Sequence, residues 1–303
     1  MRKLLLFLFK IVSRPFWGKG IYWKFPFISK IYNYVYRSLS PEGSILLNIN
    51  GLKIYAEGKS AIAKFLEVNG SYEEETTKLF SEILKEGMTV LDIGANIGYF
   101  SLLASREVGE NGRVFAFEPY HETFSLLQKN IEANGFNNVM PVEKAVSNQC
   151  GKQKLFLASD PGEHSLGGDD SYDSVEVDVT TVDAFVREQN ISVDLVKIDA
   201  EGAEMHVLEG MSETISKNPH MKIITEFGTG HLERNNCSPS AFLERLFSYG
   251  FKLYIIENVL QPKTRVNDEK HTRELITPDN TDDLLKSIHN GSIILNIYCA
   301  RNI

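Results

Sequence analysis

The chain has 303 residues, 43% of them hydrophobic, enough to bury a full core, so disorder is excluded as the default and one α/β domain with an extension fits the length. Its net charge of −8 is uneven: residues 1–41 carry eight Lys or Arg and no acid, leaving 24 bases against 40 acids in the remainder. So acidic a body argues against a nucleic-acid substrate, and three widely spaced cysteines, Cys150, Cys237 and Cys299, show neither metal-ligand nor disulfide spacing, which suits a reducing, cytoplasmic location.

The basic N-terminal segment, residues 1–41, also holds 11 of the 32 aromatic residues and both tryptophans. Two roles suit that mixture: peripheral contact with a membrane interface, or packing on the domain as a cap. The apolar run Leu4 to Phe9 is too short to span a bilayer, which needs about 20 residues. Lys10 interrupts it and no small-residue cleavage site follows, so a signal peptide is disfavoured.

Residues 42–87 read as an N-terminal hairpin and helix that pack on the core. Ile45–Ile49 and Leu52–Ala56 flank Asn50-Gly51, a tight-hairpin signal, and one helix is expected over about 60–85. From residue 88 to 303 short apolar runs alternate with amphipathic segments. Strands are expected at 89–93, 113–117, 138–146, 193–199, 221–227 and 251–256, with helices at about 98–107, 120–134, 181–189, 203–217 and 239–249. This alternation predicts a doubly wound, mostly parallel sheet with helices on both faces. Two further strands, 154–158 and 174–179, form an inserted hairpin with a mobile tip, and a last strand is expected at 292–298 beyond a polar stretch.

Ligands of such sheets bind beyond the carboxyl ends of the strands, where strand order reverses. The first core strand ends at Asp92 and its loop carries Gly94, Ala95, Asn96 and Gly98. The next ends at Glu118-Pro119, where a carboxylate can accept hydrogen bonds from both hydroxyls of a ribose. The loop spacing is Gly-x-x-x-Gly after Asp rather than the Gly-x-Gly-x-x-Gly of nicotinamide enzymes, and Asp92 would face the cationic end of a sulfonium amino acid. Further on, Lys197 and Asp199 share one strand face with Glu201 near the same mouth. A lysine there needs a partner, which Glu201, Glu204 or Glu226 would supply. His231 and His164 read as loop histidines, more often solvated than catalytic.

These residues resemble the FkbM-type methyltransferases, a branch of the class I S-adenosylmethionine-dependent enzymes. The resemblance rests on Val90–Ser101, Val114–Pro119, Asn130 with Ala133-Asn134, Lys144–Ser147 and Val196–Glu204, and spans about residues 70–260. It implies a seven-stranded, Rossmann-like sheet with an antiparallel last strand, and O-methylation of a sugar, glycan, lipid-linked or natural-product hydroxyl. It also implies that Asp92, Gly94, Asn96 and Gly98 contact the amino-acid part of S-adenosylmethionine, Glu118 its ribose, and Ala145, Val146 and Ser147 its adenine. Asp199 would lie by the sulfur. Asp199 is the first candidate for taking the acceptor's proton, Glu226 or Glu201 the second, with Lys197 in the same catalytic group. No metal is assigned, although an acidic pair at a strand mouth is able to hold Mg²⁺. Rival readings are a methyltransferase of protein or nucleic acid, a nicotinamide oxidoreductase and a non-catalytic binding module.

Overall fold

The computed structural model describes residues 26–168, 171–256, 274–289 and 294–301. The first 25 residues of the basic aromatic segment lie outside them. In chain order, helix α1 (Pro26–Leu39) precedes a hairpin of β1 (Ser44–Ile49) and β2 (Leu52–Glu57), then helices α2 (Ala61–Asn69) and α3 (Glu74–Ile83). The core continues through β3 (Thr89–Ile93), α4 (Tyr99–Val108), β4 (Arg113–Phe117), α5 (His121–Asn134) and β5 (Val139–Val142). After β6 (Ala145–Val146), β7 (Gly151–Phe156) and β8 (Ser174–Thr180) come α6 (Val182–Gln189), β9 (Leu195–Ile198), α7 (Glu204–Glu209) and α8 (Ser212–Lys217). The chain closes with β10 (Lys222–Gly228), α9 (Thr229–Arg234), α10 (Pro239–Ser248), β11 (Lys252–Ile256), β12 (Glu274–Ile276), α11 (Thr281–His289) and β13 (Ile294–Ala300).

The main sheet runs β12-β11-β13-β10-β9-β3-β4-β5, parallel from β10 to β5, with β13 antiparallel between β10 and β11. The seven expected strands are therefore present. The eighth, β12, adds to the edge beside β11 from the polar stretch that carried no strand signal. Strand order reverses between β3 and β9, which opens a crevice at their carboxyl ends. Alternation sends Val90 and Leu195 to one face, with α4, α5 and the hairpin, and Leu91, Val196 and Ile198 to the other, with α6, α7, α8 and α10.

Three expected elements differ in outline. The single helix over 60–85 is two, because Gly70 takes a left-handed conformation (φ 75°) and its N–H caps α2 by bonding Leu66 O. The helix over 203–217 is likewise broken at Gly210, whose Cα lies so near the Ser147 carbonyl that a Cβ would meet it at 2.2 Å. The strand over 138–146 splits, with β5 in the main sheet and β6 joining β7 and β8 in a separate three-stranded sheet. Much of the inserted hairpin's tip packs back on the body instead of projecting: Asp160 Oδ2 accepts the Ala61 N–H at 2.9 Å, and Ser165 Oγ donates to Glu201 O at 2.6 Å.

The hairpin at residues 44–57 is joined to the core by two asparagines one turn apart on α5. Asn130, fully buried, accepts from Tyr55 N (2.6 Å) and donates to Tyr55 O (2.9 Å) and Ile97 O (2.8 Å). Asn134 accepts from Lys53 N (2.9 Å) and donates to Lys53 O (2.7 Å). The side-chain amides thus complete the backbone bonds of the β2 edge as another strand would. All three cysteines are free, and no helix among the described residues is long and apolar enough to cross a membrane.

Candidate active site

A cavity of about 460 Å³ occupies the crevice, in the size range of cofactor pockets. On one wall lie Asp92, Gly94, Ala95 and Asn96 from the β3 loop, with Glu118 and Pro119 from the end of β4 and Ala145 and Val146 from β6. On the other lie Lys197, Asp199, Glu201 and Glu226. Two expected residues do not line it. Gly98 starts α4 with φ 89°, where a Cβ would stand 2.5 Å from Leu127 Cδ1, so it serves packing beneath the loop. Ser147 is buried behind β6, its N–H bonded to Thr180 O at 2.9 Å.

The glycine loop is held to both neighbouring strands: Gly94 and Ala95 donate to Phe117 O at 3.0 and 2.8 Å, and Asp199 N donates to Ile93 O at 3.0 Å. A Cβ on Gly94, whose φ is 76°, would stand 1.7 Å from Asp199 O, so only glycine allows the two chain segments to meet. Glu118 Oε2 accepts from Asn96 N at 3.0 Å and Oε1 from Tyr120 N at 2.9 Å. Each oxygen retains a lone pair for a further donor. Burial pushes the Glu118 carboxyl up to about 7, against those two backbone bonds.

Asp92 and Lys197 are register partners on adjacent strands, 1% and 2% exposed, and both point toward α4. The Lys197 ammonium bonds Asp199 Oδ2 at 2.9 Å and sits 4.5 Å over the Phe100 ring. Its partner is thus Asp199, which corrects the expectation of Glu201, Glu204 or Glu226: Asp199 lies two residues on along the same strand face, already within reach. Burial alone would lower the Lys197 pKa, but the charges of Asp199, Glu73 and Asp92 more than offset it and hold the ammonium above its ordinary value. Asp92 Oδ2 accepts from Ser101 Oγ at 2.5 Å, whereas Oδ1 is buried without a hydrogen bond among the described residues, and burial raises its carboxyl. Glu73, just before α3 in a left-handed conformation (φ 43°), was not singled out in the sequence; its carboxylate accepts from Asn296 Nδ2 at 3.0 Å. Only the folded chain brings it near Lys197, which lies far from it in the sequence.

Beyond Asp199 stands a second group. His231 is on the short helix α9, not on a loop, and its Nδ1 lies 3.1 Å from Glu226 Oε1 and 3.2 Å from Glu201 Oε2. The one Nδ1 hydrogen bonds Glu226, leaving Glu201 Oε2 without a hydrogen bond. Burial raises both carboxyls, helped for Glu201 by the Glu226 charge and for Glu226 by the Asp199 charge; burial lowers the imidazole. The three ligand atoms lie within 4.8 Å of one another, close enough to grip a divalent cation or to share a proton. Glu204 is turned inward instead, accepting from Ala200 N and Gly202 N at 3.0 and 3.1 Å, so it shapes the β9 loop. His164, from the insertion, lines the cavity with its ring against Tyr120 at 4.5 Å, and its Nδ1 accepts from Ala158 N at 3.0 Å.

A parallel sheet with antiparallel β13 set between its last two parallel strands, and an acidic strand end beside a glycine loop, together define the class I methyltransferase architecture. The chain matches the methyltransferase FkbM domain over residues 92–253, more than half its length, and belongs to that family. Methyltransferase 1 of Beauveria bassiana is 30% identical over 146 residues, 41% of this chain and 58% of that protein. The hexuronic acid methyltransferase AglP of Haloferax volcanii is 27% identical over 147 residues, 47% of this chain and 58% of that protein. The chain thus spans little more than half the length of these relatives. Among solved structures, an S-adenosylmethionine-dependent O-methyltransferase of Thermotoga maritima aligns with a TM-score of 0.43 at 14% identity, covering 86% of this chain and 78% of that one.

Proposed function

We propose that the chain is an S-adenosylmethionine-dependent O-methyltransferase acting on a hydroxyl of a sugar, a glycan or a related lipid-linked acceptor. The observation that carries this reading is one cavity with two unlike walls: a glycine loop and Glu118 on one side, and the Glu201–Glu226–His231 group on the other, with Asp199 between them.

The residues fit the donor. Asp92 Oδ1, buried and without a hydrogen bond among the described residues, suits a cationic amino acid, and Gly94 with Ala95 and Asn96 keeps the backbone close, with Gly98 packed beneath them. The free lone pairs of Glu118 suit two ribose hydroxyls, and Pro119, Ala145 and Val146, backed by Ser147, suit an adenine face. The donor supplies a methyl group on a positively charged sulfur, ready for in-line displacement, so the protein's main task is to orient the acceptor oxygen. Lys197 binds Asp199 and limits its use as a base; we assign Asp199 to positioning beside the donor. The acceptor's proton passes instead to the carboxylate and imidazole group of Glu226, His231 and Glu201. A sugar acceptor is supported by the aromatic rings of Phe65 and Tyr72 and the carboxylates in the same cavity, and by the hexuronic acid named for AglP.

The test is transfer of labelled methyl from S-adenosylmethionine to glycan acceptors, preceded by donor calorimetry. An alkali-stable methyl ether on a glycan is expected. Absence of donor binding would leave a non-catalytic module, and an alkali-labile methyl ester would move the reaction to a carboxyl group. Activity that persists in EDTA is expected if the trio moves a proton; loss restored by Mg²⁺ would assign it to a metal.

A further inference from the structure

Helix α1 has two unlike faces. Tyr32, Tyr36 and Leu39 turn inward onto Val68 of α2, and Tyr36 Oη donates to Glu67 Oε2 at 2.8 Å while Lys64 Nζ donates to Asn33 Oδ1 at 2.9 Å. The opposite face shows Phe27, Ile31 and Tyr34, 63%, 54% and 75% exposed. Positions i, i+4 and i+7 form one stripe, and Lys30 and Arg37 fall on the same side, within about a third of the circumference. A helix that served only as a cap would present polar residues outward. This one presents a large apolar strip edged by cations, and it carries no acid.

The chemistry of a partner follows from charge and from the neighbouring chain. Residues 1–25, which run into this helix, contain six Lys or Arg, seven aromatics and no acid, so the same composition continues beyond the stripe. The rest of the molecule is strongly acidic. Near an anionic surface the body is repelled and this end attracted, which sets one orientation. Aromatic and aliphatic side chains beside Lys and Arg match the boundary between lipid headgroups and acyl chains, where rings and cationic stems each find their medium. A protein partner of complementary shape would need acids to meet the cations. A bilayer containing anionic lipid supplies them everywhere.

We propose that the Phe27–Ile31–Tyr34 face of α1, edged by Lys30 and Arg37, docks on an anionic membrane surface. Helix α2, on which α1 packs, also lines the cavity through Ala61, Ile62 and Phe65, so in the docked chain only α1 and α2 stand between that cavity and the lipid. This rests on the methyltransferase reading only for its purpose, delivery of a lipid-linked acceptor, and not for the contact itself.

The experiment is co-sedimentation of the full chain with phosphatidylcholine vesicles, with and without phosphatidylglycerol. Binding is expected to need phosphatidylglycerol and to weaken with salt. The triple variant Phe27→Ser, Ile31→Ser, Tyr34→Ser should bind about tenfold more weakly or worse, and Lys30→Glu with Arg37→Glu should remove the preference for phosphatidylglycerol. Thermal unfolding and donor calorimetry of the same variants show that they are folded and separate this question from the enzyme's chemistry. Equal sedimentation of the triple variant, or none by the full chain, overturns the proposal. So does a lipid-free dimer that the triple variant abolishes, which would assign the face to a second copy.

Discussion

An alanine methyl at position 94 would stand 1.7 Å from Asp199 O, and neither backbone can retreat, because each is bonded to the strand beside it. Gly94→Ala is therefore expected to cost about 2–4 kcal/mol and to abolish donor binding, as read by urea unfolding and by calorimetry. Lys197 is set among Asp92, Asp199 and Glu73, whose charges hold its ammonium in the protonated form despite burial. Lys197→Met should destabilise the fold by about 3–5 kcal/mol, since buried carboxylates lose their counter-ion. Asp199→Asn in the same chain should recover part of that loss, which a double-mutant cycle would measure. In the sequence this lysine was readable as an oddity inside an apolar strand. Its partner was not, because three glutamates and one aspartate stood within reach along the chain.

The elements that shape the site were legible to different degrees. The β3–α4–β4–α5 unit carried strong signals: apolar runs of strand length, a glycine loop, and an acid at a strand end. Breaks inside helices were harder, although Asn69-Gly70 is a stop signal that a long amphipathic pattern overrode. Hardest was the way the hairpin attaches. Asn130 and Asn134 are legible only as part of a resemblance, and nothing in a linear pattern shows that two amides on α5 complete the edge of β2. Asn130→Ala should remove three hydrogen bonds to buried backbone and cost about 3 kcal/mol. Hydrogen exchange of Lys53 and Tyr55 amides should quicken in that variant while the β3 and β9 amides stay protected.

At the scale of the molecule the crevice holds a surplus of buried carboxyl groups. Glu118 rises from an ordinary 4.5 to about 7, and Asp92, Glu201 and Glu226 are raised as well, chiefly by burial. The folded chain therefore binds more protons than the unfolded one in the window from about 4.5 to about 7. The contribution of Glu118 is fully present below that window and is lost as pH rises through it, and the other raised carboxyls act in the same direction. The ligand-free chain should melt at a higher temperature near pH 5 than near pH 8. For Glu118 alone the loss is at most about 3 kcal/mol, and Glu118→Gln should flatten the dependence when melting is followed against pH.

The doubly wound, mostly parallel sheet could be anticipated from alternation, but the lining of the cavity could not, because it is assembled from segments with no sequence proximity: Tyr72, Asp160 to His164, and His231. Of these, the insertion lies across the wall formed by the glycine loop. Asp160 reaches Ala61, Ser165 reaches Glu201, and Gly162 lies against Asn96, where a Cβ would meet Nδ2 at 3.0 Å. If the donor binds under this roof as proposed, it is expected to arrive before the acceptor fills the opening and its spent form to leave last, after these tethers part. Product-inhibition kinetics should then show an ordered sequence with the donor first, and Ser165→Ala should hasten escape of the spent donor more than it changes the rate of methyl transfer.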